Sequence, residues 1–238
     1  MDIINKLGIN IYADGADLES IEFYNKSSFV KGFTTNPSLM KSVGVTDYKQ
    51  FAKKILSIVK VKPISFEVFS DNLIEMEKQA KEIFSWGNNI NVKIPISNSK
   101  GESCSKLIQK LIENNISCNV TAIFTIKQIE ELIDKINSPT DLILSIFAGR
   151  IADTGEDPIP IMKEAKKICS NKKNIQILWA STREIQNIFQ AESCNSDIIT
   201  VPHNLLKKLN YIGKDLNEYS LETIKQFLKD SSSLNLKI

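Results

Sequence analysis

The sequence predicts a single (β/α)8 barrel, an α/β fold of eight parallel strands, each followed by a helix. Two observations predict this fold: short apolar segments alternate with amphipathic segments along the chain, and eight of them have the character of strands. Eight strands are the number that closes such a barrel, and a length of 238 residues suits one. We therefore assign residues 1–238 to one domain, with a helical tail at about 214–238.

The strand-type segments are short, apolar runs. We predict them at residues 10–14, 30–34, 64–69, 90–94, 117–123, 142–147, 175–180 and 198–201. Apolar residues at helical spacing lie between them. The predicted helices are residues 18–25, 47–59, 72–85, 103–113, 126–136, 159–169, 183–190 and 205–209. A doubly wound open sheet is the alternative, but it favours a glycine-rich first turn, which this sequence lacks.

A last helix is predicted at residues 221–229, after the break at residues 213–215. Its apolar residues Leu221, Ile224 and Leu228 form one stripe at helical spacing. Because a closed barrel has little interior left for another helix, we expect the tail to pack across the outside of the barrel or onto a neighbouring subunit.

Composition argues against several functional classes. A formal net charge of +2 gives no electrostatic preference for nucleic acid or for an anionic membrane. The four cysteines are scattered and form no C-x-x-C pair, which is typical of reduced thiols in the cytosol. Residues 1–6 lack the apolar core of a signal peptide, and no segment is apolar over the length of a bilayer. We expect a cytoplasmic protein without nucleic-acid or membrane partners.

Lys93 is the first candidate catalytic residue. It lies in the predicted fourth strand between Val92 and Ile94, and side-chain alternation places it on the opposite face from both. Burial penalises an ammonium group, and a neutral amine can attack a carbonyl carbon to form a Schiff base. A lysine that reaches solvent at the edge of a strand is the competing interpretation.

Further candidate site residues, all but Phe147 polar, lie at the carboxyl ends of the predicted strands, where barrel enzymes place their active sites. They are Asp14, Glu67, Asn119, Thr121, Ser145, Phe147, Arg150, Ser181 and Arg183, with the loop at residues 32–38 beside them. Asp14, Glu67 and Lys93 compensate one another in charge, either as catalytic groups or as a network that only fixes the register of the barrel. The two arginines lie where an anionic end of a substrate could dock.

Metal and nucleotide chemistry have no motif in the sequence. His203 is the only histidine, so a multi-histidine zinc or iron site cannot be built. We place His203 at the rim, where a helix starts after the eighth strand. No G-x-S-x-G elbow, P-loop or G-x-G-x-x-G fingerprint occurs. We expect neither a metal nor a cofactor, which leaves amine chemistry on a carbonyl.

Four motifs together resemble those of the transaldolase family. They are GFTTNPS at residues 32–38, NVKIP at 91–95, NVTA at 119–122 and SIFAGR at 145–150. The similarity is greatest to the short bacterial branch shared with fructose-6-phosphate aldolase and runs from about Ile11 to the final helix. Ile146 departs from the proline of the larger transaldolases, and Thr182 and the residues around Trp179 also differ. The family's (β/α)8 barrel agrees with the strand count.

The resemblance implies a transaldolase of the pentose phosphate pathway. Such an enzyme moves a dihydroxyacetone unit from fructose 6-phosphate or sedoheptulose 7-phosphate to an aldose phosphate. Lys93 would form the Schiff base, and Asp14 would be the acid–base group at the C4 hydroxyl. Glu67 and Thr121 would hold the water that shuttles protons. The substrate-binding residues would be Thr35, Asn36, Asn119, Ser145, Phe147, Arg150, Ser181 and Arg183, the last two binding the phosphate together with Arg150.

Glu67 and Phe147 separate the close relatives. Relatives that release free dihydroxyacetone carry glutamine and tyrosine at these two positions, so the resemblance favours the transferase. A fructose-6-phosphate aldolase is the alternative reading, and a barrel that binds sugar phosphates without catalysis is the alternative of another class. Short relatives include ring-built decamers, so we expect a homo-oligomer and leave its size open.

Overall fold

Eight parallel strands close into a barrel in the computed structural model, which describes residues 2–234. The strands are β1 (Asn10–Asp14), β2 (Val30–Thr34), β3 (Ile64–Glu67), β4 (Ile90–Pro95), β5 (Cys118–Ile123), β6 (Leu142–Ile146), β7 (Ile175–Trp179) and β8 (Ile198–Pro202). Each strand pairs with the next in the sequence, and β8 pairs with β1. The predicted (β/α)8 barrel is confirmed, and the open sheet is excluded.

Helices surround the barrel, and most of them lie between its strands in the sequence. They are α1 (Asp2–Asn5), α2 (Leu18–Asn25), α3 (Pro37–Ser42), α4 (Tyr48–Ile58), α5 (Leu73–Phe84), α6 (Ser105–Glu113), α7 (Ile126–Ile133), α8 (Ala148–Ala152), α9 (Ile159–Ile168), α10 (Gln186–Ser193), α11 (His203–Leu206) and α12 (Leu216–Ser233), with a 3₁₀ turn at Leu209–Tyr211. None of the helices in the described residues has the length and hydropathy to cross a bilayer. The predicted domain limits also include residues 1 and 235–238, which lie outside the described part.

Local sequence explains where several helices begin. The Asp17 side chain accepts from the Ser20 N–H and caps α2, and Asp47 caps α4 in the same way through Gln50. Asp17 follows the turn after β1, and Asp47 follows α3, which itself comes after β2, so α2 and α4 both start on the side of the barrel where the strands end. That arrangement leaves the turns free to carry functional side chains.

Apolar residues lie in two layers. The larger cluster fills the space between the strands and the helices, where outward-facing residues such as Val92 and Ile94 are fully buried. The smaller cluster lies inside the barrel and consists of Tyr12, Ile143, Leu178, Ala180 and Ile198, with Phe147 packed against it. The apolar inner layer closes the barrel from within, so polar inward residues collect nearer the carboxyl ends of the strands.

Several local predictions were wrong, among them the helix at residues 205–209, which the structure places at His203–Leu206. The loop after β2 contains α3, because Asn36 caps it and Pro37 is at its first position, where a missing N–H costs nothing. The helix after β7 begins at Gln186 rather than at residue 183, and the SIFAGR motif continues into α8. Each error falls at a strand end, where a turn and a short helix have the same apolar pattern.

The C-terminal helix differs most from its prediction. α12 is much longer than residues 221–229, and none of its residues is buried. Leu221, Ile224 and Leu228 are 51%, 59% and 67% exposed, so the predicted stripe does not cover the outside of this barrel. Tyr219 stacks on Tyr211 with ring centroids 5.6 Å apart, which anchors the start of the helix. Of the two expected contacts, packing onto a neighbouring subunit stays a prediction.

Candidate active site

A cleft of about 500 Å³ opens at the carboxyl ends of the strands. It is lined by Asp14, Thr34, Asn36, Pro37, Ser38, Leu39, Glu67, Lys93, Pro95, Asn119, Thr121, Ala122, Ser145, Phe147, Arg150, Ala180, Ser181, Thr182, Arg183, Thr200 and Pro202. The strands contribute side chains from around the whole ring, so residues far apart in sequence share one space. Its volume suits a small metabolite.

Lys93 lies in this cleft with two partners. It is 7% exposed, and its Nζ lies 3.0 Å from Glu67 Oε2 and 2.9 Å from the Thr35 carbonyl oxygen. Glu67 and Lys93 are register partners on β3 and β4, which puts both side chains on the inner face of adjacent strands. The backbone register of the barrel therefore builds the ion pair.

Asp14 lies at the end of β1 and is held by a chain of hydroxyls. Thr34 Oγ1 donates to Asp14 Oδ1 at 2.7 Å and also contacts Thr200 Oγ1 at 2.5 Å. Burial raises the pKa of the Asp14 carboxyl, while the charge of Lys93 and the Thr34 hydrogen bond act in the opposite direction. The negative charge of Glu67 adds a smaller upward shift. Asp14 therefore keeps its proton to a higher pH than a surface aspartate does.

A neutral polar group lies beside Lys93 on β5 and β6. Ser145 Oγ donates to Asn119 Oδ1 at 2.6 Å, and Asn119 Nδ2 donates to Ser65 Oγ at 3.1 Å. These bonds fix the amide of Asn119 in one orientation. The Thr121 hydroxyl is buried and has no hydrogen-bond partner within residues 2–234. It is a donor and acceptor that a polar ligand in the cleft can use.

The cleft is also lined by two arginines. Arg183 pairs with Asp153, with Nε 3.1 Å from Oδ1 and Nη2 2.5 Å from Oδ2. The Arg150 guanidinium lies 5.2 Å from the centre of the Phe147 ring. Hydrogen bonding to Asp153 raises the pKa of Arg183. Guanidinium groups are well suited to bind a phosphate or another anion.

The turn that carries Ser181 is built around a glycine. Ser181 has φ = 61°, a left-handed conformation that is unusual for a residue with a side chain. A Cβ at Gly149 would lie 1.6 Å from the Ser181 carbonyl oxygen, so the backbone of α8 and this turn touch directly. Close packing of the two segments keeps Ser181 and Arg183 beside Arg150.

The cleft contains every predicted site residue except Thr35. Thr35 is fully buried and its hydroxyl donates to the Ser65 carbonyl, so its side chain does not line the cleft. Its backbone carbonyl, which binds Lys93, is the part of Thr35 that reaches the site. Within residues 2–234 no group of three or more His, Cys, Asp or Glu side chains is arranged to hold a metal ion.

Sequence reasoning missed Thr34, Thr182 and Thr200, which also line the cleft. Thr182 Oγ1 donates to the Thr200 carbonyl, joining the turn after β7 to β8. Thr200 is two residues beyond Ile198, whose side chain lies inside the barrel, so strand alternation could have predicted that Thr200 also faces inward. The bond from Thr34 to Asp14 depends on the register of β1 and β2, which a single sequence does not reveal.

Comparisons with known proteins point to one family. The model of the family described as Transaldolase/Fructose-6-phosphate aldolase matches residues 11–238. A "Probable transaldolase" of Thermoplasma volcanium is 34% identical over 204 residues, covering 84% of this chain and 87% of the relative. One of Nitrosopumilus maritimus is 32% identical over 225 residues, covering 93% and 94%.

Solved structures of low identity share the fold alone. The tryptophan synthase subunit alpha of Campylobacter jejuni superposes with a TM-score of 0.57 at 16% identity, covering 83% of this chain and 88% of that one. A putative dihydrodipicolinate synthase family protein of Coccidioides immitis gives the same TM-score at 10% identity, covering 82% and 67%.

Gly149→Ala tests the contact between α8 and the turn after β7. Because the new Cβ would collide with a backbone oxygen, we expect a loss of about 2 kcal/mol, or roughly 4–8 °C in Tm. Gly8→Ala is the matched control, since the nearest atom to its Cβ is 3.9 Å away. Calorimetry of both variants measures the difference, and equal melting temperatures would contradict the contact.

Proposed function

Because the chain belongs to the transaldolase/fructose-6-phosphate aldolase family, we propose that it is a transaldolase of the pentose phosphate pathway. It would transfer a dihydroxyacetone unit from sedoheptulose 7-phosphate or fructose 6-phosphate to an aldose phosphate. The buried Lys93, paired with Glu67 at 3.0 Å in the cleft, is the observation that carries the proposal.

Lys93 is the proposed nucleophile. Its neutral amine attacks the C2 carbonyl carbon of the ketose, and the carbonyl oxygen becomes the hydroxyl of a carbinolamine. The nitrogen lone pair then expels that hydroxyl, which leaves as water once protonated, and an iminium forms. Glu67 accepts the proton that Lys93 loses, and Glu67 and Thr121 hold the water that carries protons between steps.

Asp14 is the proposed base for bond cleavage. Its carboxylate takes the proton of the C4 hydroxyl, the C3–C4 bond breaks, and the electron pair moves into the iminium to give an enamine. The aldose leaves with the new C4 carbonyl, and the three-carbon unit stays on Lys93. With a second aldose the same steps run in reverse, so the kinetics are ping-pong.

The remaining cleft residues fit substrate-binding roles. Asn36, Asn119 and Ser145 line the cleft, and we assign to them the hydrogen bonds to the hydroxyls of the dihydroxyacetone unit. Arg150, Ser181 and Arg183 form the proposed phosphate site.

Phe147 supports a transferase over an aldolase that releases dihydroxyacetone. Its ring packs on the barrel interior and under Arg150. A phenylalanine has no hydroxyl with which to bind water or donate a proton to the enamine. The enamine therefore waits for an aldose, and this residue is the feature that favours transfer.

We also propose that the protein is a cytoplasmic homo-oligomer. The four cysteines, Cys104, Cys118, Cys169 and Cys194, are all buried and free, as is usual in a reducing compartment. Large apolar residues of α12, among them Ile224 and Phe227, are exposed in one chain, and a second copy of the chain is the proposed partner.

Reductive trapping tests the nucleophile. Borohydride added with fructose 6-phosphate should reduce the imine and leave a stable adduct on Lys93, located by peptide mapping. Lys93→Ala should lose both adduct and turnover with an unchanged far-ultraviolet spectrum. Lys62→Ala is the control, because Lys62 binds only backbone carbonyls of Asn25 and Ser27. A wild-type adduct at another lysine disproves the assignment, and free dihydroxyacetone released without an acceptor favours the aldolase.

The pH profile tests Asp14. The Thr34 hydrogen bond stabilises the charged carboxylate, so Thr34→Val should raise the pKa of Asp14 further. Asp14 must be ionised to take the C4 proton, so the acid limb of kcat/KM should move to higher pH. Thr182→Val, which removes a hydroxyl bonded elsewhere, should leave that limb in place. An unmoved limb in Thr34→Val would count against Asp14 as the base.

Sedimentation velocity tests the oligomer. Ile224→Asp combined with Phe227→Asp puts two charges on the apolar face of α12, which should convert the assembly to smaller species or monomers. Lys225→Asp changes the charge of the same helix without removing an apolar residue and serves as the control. A wild-type protein that sediments as a monomer would refute the proposal.

A further inference from the structure

Tyr48 is outside the cleft, yet its hydroxyl binds the backbone of a cleft residue. The residue opens α4, and its Oη accepts from the Glu67 N–H at 2.9 Å and donates to the Glu67 carbonyl oxygen at 3.1 Å. One phenol thus satisfies both backbone groups of the residue that pairs with Lys93.

The strand register makes this contact unusual. β2 and β3 pair through Phe33 with Ile64 and Thr34 with Ser65, and the Thr35 N–H donates to the Ser65 carbonyl at 3.2 Å. A regular parallel ladder would continue with the Glu67 N–H donating to the Thr35 carbonyl. Here the ladder stops one bond earlier, and Tyr48 is the partner of Glu67 instead.

The Thr35 carbonyl oxygen, which accepts no bond from the Glu67 N–H, is the acceptor for Lys93, whose Nζ lies 2.9 Å away. The same oxygen would be the partner of the Glu67 N–H if Tyr48 offered no hydroxyl. A carbonyl oxygen has two lone pairs, so the Glu67 N–H would then be a second donor to this oxygen and would share it with the lysine amine.

We propose that Tyr48 is a positioning residue for Lys93: by binding the Glu67 backbone, its hydroxyl reserves the Thr35 carbonyl for the lysine amine. The inference rests on the proposed function only in so far as Lys93 is the nucleophile of that reaction. Tyr48 touches neither the cleft nor the reacting atoms and acts through Glu67 and Thr35.

The surroundings of Tyr48 suit this role. Its ring packs edge-on against Phe66, Phe69 and Trp86, with centroids 6.0, 4.4 and 5.5 Å away, so the hydroxyl is aimed by three neighbours. Asp47 caps the same turn of α4 and fixes the backbone at this point. Burial raises the pKa of the Tyr48 phenol, which keeps its proton available for donation.

The fixed acceptor matters for the chemistry of Lys93. With Thr35 and Glu67 as partners on two sides, the amine nitrogen has a defined place relative to the substrate carbonyl. An iminium nitrogen keeps one N–H, for which the Thr35 carbonyl is an acceptor after the covalent bond has formed. A lysine bound by Glu67 alone would lose one of these constraints.

Tyr48→Phe removes the hydroxyl and keeps the ring. We expect the Glu67 N–H to pair with the Thr35 carbonyl, and reductive trapping of fructose 6-phosphate on Lys93 to become roughly ten-fold slower. KM should change little, since the phosphate site is untouched. Tyr24→Phe is the matched control, because its hydroxyl reaches the His203 carbonyl at 3.4 Å and no cleft residue. It should trap at the wild-type rate.

Trp86→Phe separates positioning from packing, since it alters the same aromatic group and leaves the Tyr48 hydroxyl in place. If Trp86→Phe slows trapping as much as Tyr48→Phe at equal loss of Tm, the effect is structural and the proposal is wrong. Wild-type trapping in Tyr48→Phe overturns it as well.

A crystal structure of Tyr48→Phe keeps the two hypotheses apart. If the wild-type protein gives no adduct on Lys93, the proposed function is wrong. The crystal structure of Tyr48→Phe then still tests whether Tyr48 positions Lys93. Thr35 bonded to the Glu67 N–H and separated from Lys93 supports the positioning role. A Lys93–Thr35 contact unchanged from the present 2.9 Å refutes it.

Discussion

The buried ion pair between Lys93 and Glu67 is the constraint on which the rest of the site depends. Moving a charged amine and a carboxylate out of water is costly, and their attraction compensates only where the geometry is good and further hydrogen bonds are present. Here the register of β3 and β4 supplies the 3.0 Å pair, and the Thr35 carbonyl supplies the further bond. The barrel therefore holds in its cleft a charged pair that an apolar core would exclude.

For Asp14, too, the cost of burial is set against favourable contacts, but here burial has the larger effect. For its carboxyl, burial outweighs the help it gets from Lys93 and Thr34, so the pKa is raised. Two carboxyls on one ring of strands thus differ in environment: one is paired directly with the lysine, and the other is bound by a hydroxyl. Different environments are what allow two chemically similar acids to take different parts in one reaction.

Much of the fold was accessible from sequence because strand length and alternation are local properties. β1 and β2 have the predicted bounds, and Lys93, Asp14 and Glu67 were named as candidates from their positions at strand ends.

What could not be predicted from the sequence depends on how neighbouring strands are aligned. The bonds of Thr34 with Asp14 and Thr200, and of Tyr48 with Glu67, join residues whose proximity is set by register and by helix placement. The exposure of α12 was missed for a related reason. An amphipathic pattern indicates that one face of a helix packs against something, but it does not identify the partner.

The positive charges of Lys93 and of the two arginines in the cleft are balanced differently. Around Lys93 the protein supplies its own counter-charge, so the amine is held before any substrate arrives. At the arginines, Asp153 pairs with one edge of Arg183 and also lies near Arg150, whose guanidinium faces the Phe147 ring. A sugar phosphate carries about −1.5 to −2 charges near neutral pH, and it would meet guanidinium charge that the protein has only partly neutralised. In the proposed reaction, binding energy would then be concentrated at the phosphate, away from the bonds that break, where it would orient the carbonyl carbon toward a nitrogen that is already fixed.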